Sequence, residues 1–467
     1  MILDRTCAAI VMAAGQGTRM LSDQAKVLHA VAGVPMVVYP IRACLELGVG
    51  QVVVVVGHQR EAVQAALAQH FDPARIQCVV QAEQRGTGHA VSVAMAAVES
   101  AARQILIMNG DMPLINAAQM ESWLSQCGDA TLTFASFKLA DPTGYGRVQR
   151  DAAGRPERIV EHKDATALQR AIHEVNAGIY CCERSFLERG LARLTTANAQ
   201  GEFYLPDLVA EARKEGLPCA AVCADDPLPW LGVNSRAELA AAERERRDQN
   251  NVRWAQAGVG FMDMGSTYID DGVVLSRDVF LEAGVHLRGR TRLGAGTSIG
   301  AGCVIHDCEV GEGVEFLPYC VARDARVENG AHVGPFAHLR AGTVLGPDAK
   351  VGNFVELKKT TLGQGSKASH LSYLGDATIG RDVNIGAGTI TCNYDGVNKH
   401  ATVMQDGVFV GSNTEIVAPV TLGERCVIGA GTTVTRDVPA AALCITRAET
   451  RLIEGYGDRE KRKKKRS

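Results

Sequence analysis

Two hydrophobic rhythms divide the chain. From Cys7 to about Asp226, the apolar runs "CAAIVMAAG", "QVVVVVG", "IQCVVQ" and "QILIMNGD" alternate with "MVVYPIRACLELG", "REAVQAALAQHF" and "GHAVSVAMAAVESAA", where apolar and polar positions mix as on a helix. The first group predicts strands and the second helices. Val52 to Val56 is uninterrupted, the pattern of a strand covered on both faces. Strand and helix in alternation predict an α/β domain, Rossmann-like, with a mostly parallel sheet. Between about Ser235 and Gln256, "SRAELAAAERERRDQNNVRWAQ" combines helix-forming composition with dense charge. This predicts a solvated connecting helix.

The second half follows another period. An aliphatic residue precedes glycine at Leu293, Ile299, Val333, Leu345, Val351, Leu374, Ile379, Ile385, Val410, Leu422 and Ile428, mostly six or twelve positions apart. This hexapeptide repeat predicts a parallel β-helix, with about nine coils of roughly 18 residues between 270 and 437. The aliphatic side chain points inward, and the glycine after it is expected to supply a turn conformation closed to residues with a Cβ. One excursion, "TCNYDGVNKHATVMQDG" at 391–407, interrupts the repeat and carries Asn393, Tyr394 and Lys399. The expected organisation is residues 1–234 as the α/β domain, 235–258 as a helical linker, 259–457 as the β-helix and 458–467 as a basic, disordered tail.

Composition narrows the function classes. The 467 residues are 46% hydrophobic and 22% charged with a net charge of −3, which is ordinary for a globular protein and gives no overall pull toward nucleic acid or membrane. The exception is the tail "DREKRKKKRS", read as a solvated terminus. "MILDRTCAAIVMAAG" has no signal-peptide pattern and its apolar run is too short to span a bilayer. Fourteen cysteines without a CxxC pair predict free thiols in a reducing cytoplasm and argue against zinc.

Candidate chemistry in the first half gathers around glycine-rich turns. "MAAGQGTRM" follows the first strand, and its glycines let backbone N–H groups approach a phosphate while Arg19 adds a charged donor. It is neither a dinucleotide fingerprint, since Met20 stands where a third glycine is needed, nor a P-loop, since no Gly-Lys pair occurs. Lys26 in "AKVLH" follows within reach of the same phosphates. "QAEQRGTGHA" makes a second glycine-rich turn. Asp111 ends "LIMNGD", where open α/β sheets bind ligands and where a carboxylate suits Mg²⁺. Taken singly, each of these is also explained as a tight turn or a capping residue.

In the repeat, counting in sixes puts Arg340 and Lys358 at one position, a coil apart. Cations stacked across strands repel unless an anion lies between them or both splay into water. After a one-residue slip near Leu362, Ala368 takes the aliphatic position, Tyr373 falls over Glu356, and His370 faces outward. Histidine has the pKa for general-base work near neutrality, although a lone exposed histidine is usually decoration.

"AAGQGTRM", "QAEQRGTGHA", "GD" after an apolar strand, "DPTGYGR" and "VEHKDA" resemble the sugar-1-phosphate nucleotidyltransferases, with Asn109 and Met112 departing from the family's commoner residues. Joined to a hexapeptide-repeat half, they resemble the bacterial bifunctional N-acetylglucosamine-1-phosphate uridylyltransferase/glucosamine-1-phosphate acetyltransferases over nearly the whole chain. The resemblance implies a left-handed β-helix, a homotrimer with its acetyl site between subunits, and a cytoplasmic enzyme. That enzyme acetylates glucosamine 1-phosphate from acetyl-CoA, then converts the product and UTP to UDP-N-acetylglucosamine and pyrophosphate for peptidoglycan and lipopolysaccharide precursors. By the same resemblance, Met12, Ala13, Ala14, Gly15, Gln81, Gly86 and Thr87 hold the uridine. Gly146, Glu161 and Asn176 hold the sugar, Asp111 and Asn234 bind Mg²⁺, and Arg19 and Lys26 neutralise the phosphates. Arg340, Lys358, Tyr373, Asn384 and Lys399 hold the second sugar phosphate, with His370 as general base oriented by Glu356. Ala387, Asn393, Tyr394, Ser412, Ala430 and Arg447 contact acetyl-CoA. The family usually has proline before the lysine; Ala25 here predicts a looser loop. A monofunctional nucleotidyltransferase with a structural β-helix, and a non-catalytic scaffold, are the alternatives.

Overall fold

The computed structural model describes residues 6–457, so the basic tail and the first five residues lie outside it. The described chain forms two compact units that meet in sequence between Gln249 and Asn250. That boundary lies inside a 21-residue helix, Arg236–Gln256.

The first unit is built on a nine-stranded sheet whose main path has seven strands, β1 (Cys7–Ala13), β2 (Gln51–Val56), β3 (Ile76–Val80), β4 (Gln104–Asn109), β5 (Leu132–Lys138), β6 (Glu174–Glu183) and β7 (Cys219–Ala224). Their order is β7-β5-β6-β4-β1-β2-β3. Every pair in that path is parallel except those of β6, which runs against β4 and β5. Val52, Val54 and Val56 pack with Val11 and Leu106 on one face, while Val53 and Val55 pack with Ile10 and Ile105 on the other. Burial on both faces explains why β2 has no polar alternation. Three helices, α1 (Val38–Glu46), α2 (Arg60–His70) and α3 (Thr87–Met95), follow their predicted stretches. The third stops at Met95, short of the expected "AAVESAA", which turns back toward β4 instead.

The second unit is a left-handed β-helix of three parallel sheets with 11, 10 and 9 strands. Phe280 pairs with Ser298 and Ser298 with Glu315, which gives coils of 18 and 17 residues. The ladders begin at Gly260 and end at Cys444, about ten coils where the repeat count gave nine. The missed coil lies at the ends, where the aliphatic–glycine pair is absent. Leu293, Ile299, Val351, Leu374 and Ile428 all point into the apolar interior.

The glycine expectation is corrected. Among the repeat glycines named above, Gly334 has a positive φ of 106° and the others do not. Their constraint is close approach: a Cβ on Gly352 would stand 1.9 Å from the Ser369 carbonyl oxygen, and one on Gly411 would stand 2.4 Å from the Ala430 nitrogen. Left-handed turns fall elsewhere in the coil, and several are taken by Asp307, Asp324, Asp348, Asp382 and Asn413 at φ between 46° and 56°. Short polar side chains tolerate that conformation through local hydrogen bonds. At one corner the same turn position holds Tyr319, Phe336 and Phe354, stacked at 5.3 and 5.4 Å between ring centres, followed one coil later by Leu371.

Candidate functional site

Two sets of chemical groups are assembled, one in each unit. In the first unit, β1 and β4 lie side by side and end at one cleft, the crevice where parallel sheets hold ligands. Beyond β1, Gly17 turns at φ 63°, and a Cβ there would fall 2.5 Å from the Lys26 Cβ, so the turn packs directly on the lysine. The Lys26 ammonium donates to Asp111 Oδ2 and, at 3.1 Å, to Asn234 Oδ1. Residues 85 and 208 positions apart thus share one proton-rich centre. Asn234 is brought there because the Val233 N–H donates to the Asp111 carbonyl at 2.9 Å. Asp111 Oδ1 is buried with no hydrogen-bond partner. Gly232 keeps the space beside it open, since a Cβ would come within 3.1 Å of that oxygen.

The cleft has two joined compartments of about 260 and 250 Å³, continuous through Met12, Thr87, Asn109 and Asp111. Met12, Ala14, Gly15, Gln81, Gly86 and Thr87 line the first. Ala13 does not; its side chain is buried in the sheet interior. Gln81 donates to the Gly86 carbonyl at 3.2 Å and meets His89 at 3.1 Å, which holds the second glycine-rich turn at the start of α3. Gly86 needs its φ of 100°, and a Cβ there would lie 2.6 Å from the Phe203 carbonyl.

Arg19, Gly146, Glu161, Asn176 and Asn234 line the second compartment. Asn176 sits where β6 breaks register with β5, and its amide donates to the Tyr180 hydroxyl at 2.7 Å. Burial, reinforced by Asp164 and Asp207, pushes the Glu161 carboxyl up to about 7. Asn109, Glu202 and Gln84, which donates to the Ala14 carbonyl at 2.6 Å, also face this cleft and were not singled out from sequence as site residues. Gln84 and Asn109 lie inside the motifs "QAEQRGTGHA" and "LIMNGD", and no motif marks Glu202.

Ala25 is likewise corrected. Its N–H donates to Gln59 Oε1 at 2.9 Å, so the loop before Lys26 is pinned rather than loose.

In the β-helix, His338 pairs with Glu356 and Glu356 with Tyr373, while the Arg340 N–H donates to the Leu357 carbonyl. Arg340, Lys358, Glu356 and Tyr373 therefore share one face. A Cβ on Gly375 would lie 2.4 Å from the Tyr373 hydroxyl, so the ring crosses a gap that glycine leaves open. The excursion expected at 391–407 is shorter, a loop of 393–401 between strands Ile390–Cys392 and Thr402–Met404, and Lys399 on it has its pKa lowered by the nearby Lys358 ammonium. Two cations held together in this way make a place for an anion.

His370 stands at the adjoining corner, exposed, with Nδ1 2.6 Å from Asn353 Oδ1. This corrects the expected partner. Glu356 accepts instead from Arg340 at 2.8 Å and lies 3.4 Å from His338. Burial works against its ionisation, but Arg340 and His338 outweigh that and hold its pKa below the usual value. Asn353 was findable as the residue one 17-residue coil before His370. From His370 the same corner continues through small residues: the Asn413 N–H donates to Ala387, and the Gly431 N–H to Ser412, both at 2.8 Å. Arg447 closes this edge by donating to the Ala430 carbonyl at 2.6 Å. Asn393 donates to Asp376, and Tyr394 is exposed beside it. Asn384 pairs with Lys367 one strand earlier in the neighbouring sheet.

No two of the fourteen cysteines form a disulfide. Among the described residues no helix is long and apolar enough to cross a membrane.

Comparison with known proteins matches both halves. The family model for the MobA-like NTP transferase domain matches residues 9–177, and that for bacterial transferase hexapeptide (six repeats) matches residues 401–436. The bifunctional protein GlmU of Pelobacter propionicus is 48% identical over 98% of this chain and 99% of its own length. Those of Sorangium cellulosum and Geobacter sulfurreducens are 48% and 46% identical over 97% and 96% of this chain, and over 96% and 98% of their own lengths. A two-unit chain with a nucleotide-sized cleft in one half and a hexapeptide coil in the other, matched end to end at such identity, belongs to the GlmU family of bifunctional proteins.

Proposed function

We propose that this chain is a bifunctional transferase that acetylates glucosamine 1-phosphate in its β-helix and couples N-acetylglucosamine 1-phosphate to UTP in its α/β unit. The products are UDP-N-acetylglucosamine and pyrophosphate. The observation that carries the reading is the presence of both constellations on one chain: Lys26, Asp111 and Asn234 converging from distant sequence, and Arg340, Lys358, Tyr373 and His370 brought to adjoining positions by coil register.

In the first unit the sugar phosphate is already anionic, so the residues have to align reactants and screen charge rather than remove a proton. Gln81, Gly86 and Thr87 hold the base and ribose against Met12, Ala14 and Gly15. Glu161, Asn176 and Gly146 hold the sugar, and Arg19 and Lys26 take the phosphate charge. A divalent cation fits beside Asp111 and Asn234, because the unpartnered Asp111 Oδ1 supplies a buried oxygen and two protein ligands suit an ion that keeps several waters. Mg²⁺ is the proposed ion; when bound, it screens the triphosphate.

In the β-helix, Arg340, Lys358, Asn384, Tyr373 and Lys399 receive the sugar phosphate, the anion that relieves the Lys358–Lys399 repulsion. Asn353 orients His370, which takes a proton from the substrate amine as that amine attacks the thioester carbonyl; the C–S bond then breaks and the CoA sulfur takes that proton from His370 and leaves as the thiol. The Ala387 N–H steadies the oxyanion. Acetyl-CoA lies along Ala387, Ser412 and Ala430, with Asn393, Tyr394 and Arg447 beside it. Glu356 is assigned to Arg340 rather than to the base. The assembly proposed is a cytoplasmic homotrimer, supported by the exposed edge of Tyr319, Phe336, Phe354 and Leu371 that such packing would cover. Residues 1–234 and 259–457 are the proposed catalytic domains.

The test is to assay both reactions on the same preparations, with CoA release for acetyl transfer and pyrophosphate release for uridylyl transfer. His370→Ala is expected to lose acetyl transfer about a hundredfold or more and to keep uridylyl transfer. Asp111→Ala is expected to do the reverse. Loss of both activities from either change in a folded protein would refute the assignment.

A further inference from the structure

Gln59 belongs to neither set of site residues, yet its geometry is costly and specific. It precedes α2 with φ 50° and ψ 40°, a left-handed conformation that strains a residue carrying a Cβ. Both ends of its amide are used. Oε1 accepts from the Ala25 N–H at 2.9 Å, and Nε2 donates to the Asp23 carbonyl. One side chain thus closes a ring over residues 23–25. The next residue is Lys26, whose ammonium reaches Asp111 and Asn234 and whose Cβ leaves no room beside Gly17. Ala25 itself lies at φ −53° and ψ 134°, a conformation that proline adopts of its own accord. Alanine has no such preference, so here the conformation is held from outside, through its N–H.

We propose that Gln59 is a positioning residue for uridylyl transfer. Its amide fixes the 23–25 loop and so sets where the Lys26 ammonium meets the triphosphate. From its left-handed backbone position the Gln59 amide faces the loop. The inference rests on the reading of Lys26 as a phosphate ligand. Catalytic groups misplaced by about 1 Å lose up to about a hundredfold in rate. Loosening a loop that keeps its other contacts is expected to cost about a tenth of that, roughly tenfold.

The experiment compares Gln59→Ala, Ala25→Pro and the double variant in the full chain. Pyrophosphate release is followed at varied UTP, with acetyl transfer and thermal unfolding measured on the same preparations. Gln59→Ala is expected to lower kcat/KM for UTP about tenfold and leave acetyl transfer unchanged. Ala25→Pro in that background is expected to restore most of the loss, because the ring imposes the conformation without the N–H. Ala25→Pro alone gains nothing, since it removes the donor that Gln59 accepts from. If Gln59→Ala destabilises the first unit, Gln59→Glu serves instead: it keeps the bond from Ala25, cannot donate to Asp23, and should fall between wild type and Gln59→Ala.

Unchanged uridylyl kinetics in Gln59→Ala, or a double variant no better than Gln59→Ala, would overturn the proposal. A Lys26→Ala control separates the two levels. If Lys26→Ala abolishes uridylyl transfer while Gln59→Ala does nothing, the positioning role alone fails. If Lys26→Ala is also harmless, the reading of Lys26 fails first.

Discussion

The Lys26 ammonium shares Asp111 and Asn234 with the proposed cation, and two positive charges compete for one carboxylate. Lys26→Met is therefore expected to bind Mn²⁺ several-fold more tightly in the absence of nucleotide, even as it loses uridylyl transfer, a change that calorimetry reads directly. Glu161 gives a pH signature. Its folded pKa of about 7 lies above the reference of 4.5, so the folded protein holds that proton more tightly than the unfolded chain does. Stability contributed by this proton is full below about pH 4.5 and is lost as pH rises toward 7. Glu161→Gln should remove the decline and gain about 3 kcal/mol at pH 8 relative to wild type, measured by denaturant unfolding at both pH values. It should also weaken sugar binding. At this scale the sequence was only partly legible. Motifs carried His370, Lys26 and Asp111, but the partner of His370 is set by which side chain stands one coil earlier, and Gln59 meets Ala25 across 34 residues with no motif to mark it.

Elements show where pattern suffices and where it does not. The inward aliphatic position follows from backbone geometry repeated every coil, so spacing alone located the interior from Leu293 to Ile428. The role of the following glycine depends on the backbone of the next coil, which spacing does not describe. The two glycine environments give opposed predictions. Gly352→Ala forces a Cβ against the Ser369 carbonyl and is expected to cost several kcal/mol or prevent folding. Gly313→Ala, at φ 63° with open space around it, should cost only about 1–2 kcal/mol, and thermal unfolding separates the two. In the α/β unit, alternation gave β1 to β4 but not β5, β6 or β7, and the alternating half-buried and buried positions of β6 read alike in either direction. Where β6 pairs with β5 the register breaks between Asn176 and Tyr180, and Asn176 lines the second compartment.

At the scale of the whole molecule, each unit has its own apolar interior. A chain ending at Gln256 is expected to retain uridylyl transfer within about twofold while lacking acetyl transfer, and pyrophosphate release checks it. That cut separates two side chains from their partners. Asn250 and Asn251 are buried and bonded to Ile269, Asp271, Met264 and Thr267, so they belong to the start of the β-helix.

The coils from Gly260 to Val333 contribute no residue to the proposed acetyl site, which begins at Arg340. Each adds about 4.8 Å along the axis and touches only its neighbours. They act as a graduated ruler: the height of the acetyl site above the first coil is counted in whole coils. Adding or deleting one complete coil there would lift or lower the chemistry by one graduation and leave it otherwise unchanged.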